Sequence, residues 1–191
     1  MQWRRRRSVR CLVSADWLRS ISSALSAARV DGLSPDKLGE DSEFVSAVAR
    51  ATSDAMQTHS KVKREALKNT VLNVAAGVRL DDVLVGSFMS YIERFSEAHL
   101  KLLALLRDPM RNEAYREASA SIMTGSLSHL VARACPDLAA DTDLLDRVHD
   151  DLLRERLVNG SFKAMVSGAG LQAPRTTPFG NAFLDFISSP A

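Results

Sequence analysis

The sequence predicts a mainly α-helical fold: a helical N-terminal layer followed by a C-terminal winged-helix-like module with a short β-hairpin. Three observations carry this. Aromatic residues make up only 6% of a chain that is 46% hydrophobic, a composition that suits packed helices better than strands rich in aromatic and β-branched residues. Apolar residues recur at helical spacing between Ser or Asp caps and Gly or Pro stops. Towards the C-terminus the rhythm changes to three short helices, a strand-like piece, a Gly-rich turn and a second extended piece, the order of a winged helix-turn-helix. The expected division is a basic arm over 1–13, a helical domain over 14–95 and a winged-helix-like domain over 96–191.

In the first half, Ser14 is placed to cap a helix through about Val30, with Trp17, Leu18, Ile21, Leu25 and Ala28 at helical spacing, before Gly32, Pro35 and Gly39 interrupt it. Asp41 or Ser42 caps a long helical segment that ends at Gly77 and places Phe44, Val48, Ala51, Ala55, Met56, Val62, Ala66, Leu67, Val71 and Val74 at core spacing. Whether this is one helix or two meeting near "QTHS" stays open, because those residues are poor helix formers rather than breakers. A further helix restarts at Asp81, with Leu84, Val85, Phe88, Met89, Ile92 and Phe95 on one face and acids at its positive end. The short connection makes it an antiparallel neighbour.

In the second half, Ser96 caps a leucine-rich helix that Pro109 ends, and "NEAYREASASIM" reads as a loop or a marginal helix. Ser126 caps a two-turn helix ended by Pro136. A stronger helix follows over 142–157, with Leu144, Leu145, Val148, Leu152 and Leu153 assigned to one apolar face and Asn159-Gly160 as its stop.

The stretch "GAGLQA" over 168–173 matches the dinucleotide fingerprint G-x-G-x-x-A. That motif works only where a helix N-terminus receives a pyrophosphate and a second strand follows. Pro174 interrupts the required helix, so the stretch is read instead as the wing's tip. Gly168 and Gly170 then supply hairpin backbone angles, "FKAMVS" and "RTTP" form the strands, and Pro178 opens a last helix anchored by Phe179, Phe183, Leu184, Phe186 and Ile187.

The formal net charge of +2 hides an asymmetry: residues 1–95 carry 15 Lys+Arg against 11 Asp+Glu, and residues 96–191 carry 10 against 12. The helix in the recognition position carries Asp143, Asp146, Asp150, Asp151 and Glu155 against Arg147, Arg154 and Arg156. Such a helix repels a duplex unless its acids face away. The wing offers only Lys163 and Arg175 as cations. The more basic stretch is "HSKVKREALK", where Lys61, Arg64 and Lys68 share a helix face beside Lys63. Candidate contacts to phosphate or an acidic partner are therefore Lys61, Lys63, Arg64, Lys68, Lys163 and Arg175. Arg4 to Arg7 read as a solvated arm.

Patterns that carry enzymatic chemistry are absent. His59, His99, His129 and His149 lack zinc-ligand spacing and read as surface or capping residues. No nucleophile elbow or phosphate loop occurs, and Cys135, between Ala134 and Pro136, reads as an inert thiol. The expectation is a non-enzyme with no catalytic residue, cofactor or metal. Two distant cysteines suit a reduced, cytoplasmic compartment. The opening basic stretch is not read as a secretion signal, because Ser14, Asp16 and Arg19 break the apolar run behind it. No apolar run approaches the roughly 20 residues of a membrane span.

"SFMSYIERFSEAHLKLLALLRDP", with "MVSGAGLQAPRTTPFGNAFLDFI" later, resembles a group of bacterial helical proteins and is similar in layout to the abortive-infection alpha family associated with phage defence. The resemblance covers roughly residues 41–188. Its matching residues, including His99, Leu100, Leu103, Thr177, Gly180, Phe183 and Leu184, read as cap and core positions. It implies no catalytic residues. The functional expectation is a bacterial macromolecular-interaction protein with a protein partner and phage defence or stress as its setting. The alternative is a winged-helix DNA-binding regulator, homodimeric through residues 41–77.

Overall fold

The computed structural model describes residues 16–26 and 35–190; Arg4 to Arg7 and the Ser14 cap lie outside them. The described residues are mainly helical and fall into two compact units, those up to residue 94 with 185–190, and residues 95–184.

In the first unit, α1 (16–26) buries Trp17 and Ile21, and Trp17 Nε1 donates to Thr52 Oγ1 at 3.2 Å. Leu18, assigned to the same apolar face, is exposed. After α2 (Pro35–Glu40), the long segment resolves into two helices, α3 (Ser42–Gln57) and α4 (Lys61–Ala75), which pack side by side. Polar caps make the break. Asp41 accepts from the Glu43 and Phe44 N–H groups to start α3, and Ser60 Oγ accepts from Lys63 N–H to start α4. Gly77, at φ +89°, closes α4 while Val78 N–H reaches back to the Asn73 carbonyl at 2.9 Å. Asp81 then caps α5 (Asp82–Arg94) through Val83 N–H. Ala51 and Ala55 of α3, Leu67 and Val71 of α4, and Phe88, Met89 and Ile92 of α5 form the core. Each large side chain there contributes roughly 2 kcal/mol of burial.

Three polar residues of α4 enter that core, and one of them, Thr70, is satisfied within the helix by donating to the Ala66 carbonyl at 3.0 Å. Asn69 and Asn73 lie one turn apart on α4 and are both buried. Asn69 Nδ2 donates to the Ile187 carbonyl at 3.0 Å. Asn73 Nδ2 donates to the carbonyls of Phe186 at 2.9 Å and Ser188 at 2.8 Å. Residues 185–190 therefore belong to the first unit, with Phe186 packed 5.5 Å from Phe88.

The second unit contains α6 (Glu97–Arg107), a 3₁₀ turn (Pro109–Arg111), α7 (Glu113–Ser119), β1 (Thr124–Gly125), α8 (Leu127–Ala134), α9 (Thr142–Arg154), β2 (Val166–Ser167), α10 (Gly168–Gln172) and the first part of α11 (Pro178–Ile187). The marginal stretch "NEAYREASASIM" does form a helix, α7, capped by Asn112 and anchored by fully buried Tyr115. Pro178 opens α11 as expected. Thr177 Oγ1 accepts from Gly180 N–H at 3.0 Å and donates to the Arg156 carbonyl at 2.6 Å.

The expected wing hairpin does not form. β2 pairs antiparallel with β1, Thr124 opposite Ser167 and Gly125 opposite Val166, while Thr176 makes an isolated bridge to Val158. The intended tip is the helix α10, begun by Ser167 Oγ accepting from Gly170 N–H. Leu171 is fully buried, and its carbonyl accepts from the Tyr115 hydroxyl at 2.8 Å. Gly168 and Gly170 do not supply left-handed angles. A β-carbon on Gly168 would stand 2.5 Å from the Ile122 carbonyl oxygen, so close backbone approach is what that glycine permits. The helix stop at Asn159-Gly160 also shifts: α9 ends at Arg154, and Arg156 takes the left-handed conformation at φ 57°.

Candidate functional site

Asp141 caps α9 by accepting from Leu144 N–H at 3.0 Å. Its buried residues are Leu145, Val148, His149 and Leu152. Leu144 is 53% exposed and Leu153 38% exposed, so the buried face is narrower than the expected one and lacks its two edges. By helical spacing Leu144 and Leu153 stand on opposite sides of α9, with Leu145, Val148, His149 and Leu152 buried between them. The outer face of α9 presents Asp143, Arg147, Asp150 and Arg154, flanked by Leu144 at one edge and Leu153 at the other, all exposed.

Other charges of α9 are engaged within the unit. Asp146 pairs with Lys163 at 2.6 Å, and this hydrogen bond raises the ammonium pKa above the usual lysine value. Asp151 accepts from Arg154 at 2.7 Å on one oxygen and meets His99 Nε2 at 3.4 Å on the other. His99 is a capping residue: its Nδ1 accepts from Ser96 N–H at 3.1 Å, and its ring stacks on Phe95 at 4.8 Å. Nδ1 is therefore unprotonated, and Nε2 carries the hydrogen toward Asp151.

The six candidate contacts do not converge. Arg175 is half-buried and structural: one guanidinium nitrogen donates to the Gly170 carbonyl at 2.6 Å, closing α10, and its Nε is buried without a hydrogen-bond partner. Lys163 neutralises Asp146. In the first unit, Lys63 Nζ donates to the Glu93 carbonyl at 2.7 Å, and burial lowers its pKa. Arg64 Nε donates to the Thr58 carbonyl at 3.2 Å, where α3 ends, and Lys68 pairs with Glu65 at 2.6 Å. Lys61 is exposed. The basic row of α4 is therefore largely occupied in holding its own unit together.

The described residues also form concavities in each unit. Asp54, Gln57, Thr58, Lys63, Leu67, Ile92 and Glu93 line a pocket of about 120 Å³ in the first unit. Burial, then Glu93, pushes the Asp54 carboxyl above its ordinary value. In the second unit a more open groove of about 460 Å³ is lined in part by Lys101, Leu105, Asp137 and Cys135. Burial raises the Cys135 thiol, which keeps it protonated and poorly nucleophilic.

His149 departs from the expected surface or capping role. It is 1% exposed, and neither ring nitrogen has a hydrogen-bond partner. Burial lowers its pKa below the ordinary histidine value. Among the described residues no group of three or more His, Cys, Asp or Glu side chains is placed to hold a metal ion, and no helix is long and apolar enough to cross a membrane.

The residues that carry the resemblance to the abortive-infection alpha layout occupy cap and core positions. His99 caps α6, Thr177 caps α11, and Leu100, Leu103, Phe183 and Leu184 are buried. No protein-family model, curated protein or solved structure matches the chain.

Proposed function

We propose that this chain is a non-enzymatic macromolecular-interaction protein whose second unit engages a protein partner through the outer face of α9. The observation that carries the reading is the composition of that face. Leu144 and Leu153 stand in solvent on either side of the row Asp143, Arg147, Asp150 and Arg154, a mixture of apolar anchor and charge that suits a protein contact. A duplex-reading helix needs cations aimed outward. Here the outward cations Arg147 and Arg154 stand among Asp143 and Asp150, with Arg154 paired to Asp151; exposed Lys163 is paired with Asp146, and half-buried Arg175 is held on the Gly170 carbonyl.

The order α7, β1, α8, α9, β2, with β1 paired to β2, supports a winged-helix relationship for this unit, with α10 in place of the wing. The setting we assign is a bacterial cytoplasmic phage-defence or stress response, on the resemblance in layout alone. The test is a photo-crosslinking residue at position 144, irradiated in the host cell. A discrete protein adduct, lost on Asp150→Arg, supports the reading. Adducts to nucleic acid, or none, contradict it.

A further inference from the structure

We propose that His149 makes α9 acid-sensitive: uptake of one proton by its buried ring releases residues 158–167 from α9 and disorders the contact face. The inference deepens the reading of α9 as an interaction helix and rests on it for its functional meaning.

The ring of His149 lies against Phe162, with centroids 4.5 Å apart and planes 14° from parallel. Phe162 in turn fastens α8, because its carbonyl accepts from Ser128 N–H at 3.0 Å. The adjacent Lys163 fastens α9 through Asp146. One aromatic contact therefore joins α9, the segment after it, and α8. As a neutral ring His149 already leaves both nitrogens without partners. As an imidazolium it would hold a charge and two N–H donors there, the costlier state in a buried site.

The charges that bear on the ring come from its own helix. Asp150 Oδ1 lies 3.9 Å from Nδ1, too far for a hydrogen bond, on a side chain 69% exposed. Asp146 also favours the protonated ring, and Lys163 from the Phe162 segment sits on Asp146. From α6, which packs against α9, His99 is turned to Asp151. The charges that shift the ring are those of Asp150 and Asp146, and neither ring nitrogen has a hydrogen-bond partner. Burial outweighs the two aspartates, so the closed form takes its proton below 6.5, the value of a released histidine. Acidification below 6.5 then favours the open form, by about tenfold per pH unit until the closed form also titrates.

The test is hydrogen–deuterium exchange of the full chain between pH 7.5 and 5.5, corrected for the intrinsic rate. Protection of residues 158–167 should fall about tenfold per pH unit below 6.5, while α4 stays protected. His149→Phe, which keeps the aromatic contact and takes no proton, should remove that dependence. The NMR titration of His149 in the unmodified chain gives an independent reading, with a midpoint expected below 6.5. A midpoint at or above 6.5, flat protection, or the same pH dependence in His149→Phe overturns the proposal. No partner enters these measurements, so failure of the interaction reading would leave their result standing.

Discussion

The carbonyl oxygen of Leu157 lies 2.0 Å from the position a β-carbon would occupy on Gly180. The same oxygen accepts from Thr177 N–H at 3.0 Å, so the first turn of α11 is seated directly on the chain leaving α9. Gly180→Ala sets a side-chain atom against backbone that cannot turn aside. We expect it to destabilise the protein by about 3 kcal/mol, at the upper end for an overpacked site. A urea midpoint indistinguishable from that of the unmodified chain would refute the contact.

Asn73 offers a second handle, because its amide satisfies carbonyls at the end of α11 from inside an apolar core. Asn73→Ala leaves buried acceptors unmet and should cost about 1–3 kcal/mol. Limited proteolysis should show cleavage within 185–190 well ahead of the rest of the chain. Unchanged cleavage order would mean that the amide does not hold the tail.

Asp54 sets a pH dependence with the opposite sense to that of His149. Its folded pKa lies above the unfolded value of 3.8, through burial and then Glu93. The folded chain therefore holds this proton more tightly, and the residue's contribution to stability is lost as pH rises from 3.8 through the folded value. Asp54→Asn should raise the melting temperature at pH 7, and the gain should fade as pH falls to 3.8. Thermal melts at the two pH values check both statements.

Much of the helical frame is legible in the sequence, because caps act locally. Asp41, Ser60, Ser126 and Pro178 each begin a helix with atoms within three residues of them. The sheet was not legible. Its strands are two residues long, and Gly168 and Gly170 look like turn residues until Leu171 and Tyr115 are seen to hold α10. Asn69 and Asn73 carried a signal, a pair of amides one turn apart in an apolar run, but their partners lie more than 100 residues away. The candidate site is less legible for a related reason. The five apolar residues on α9 span half its circumference, and only the packing around the helix, His149 on Phe162 included, decides that the edge residues Leu144 and Leu153 are exposed while His149 is buried.

The most direct test of the claim that α9 meets protein and not duplex DNA is fluorescence anisotropy. Labelled random duplex is titrated with the full chain at about 50 mM and about 200 mM salt, an interval over which several phosphate contacts change affinity by orders of magnitude. The arrangement of Lys163, Arg175 and the α4 cations predicts no saturable binding at either salt. Binding at low salt that collapses at high salt, and weakens on replacing Lys61, Arg64 and Lys68 by alanine, would contradict it.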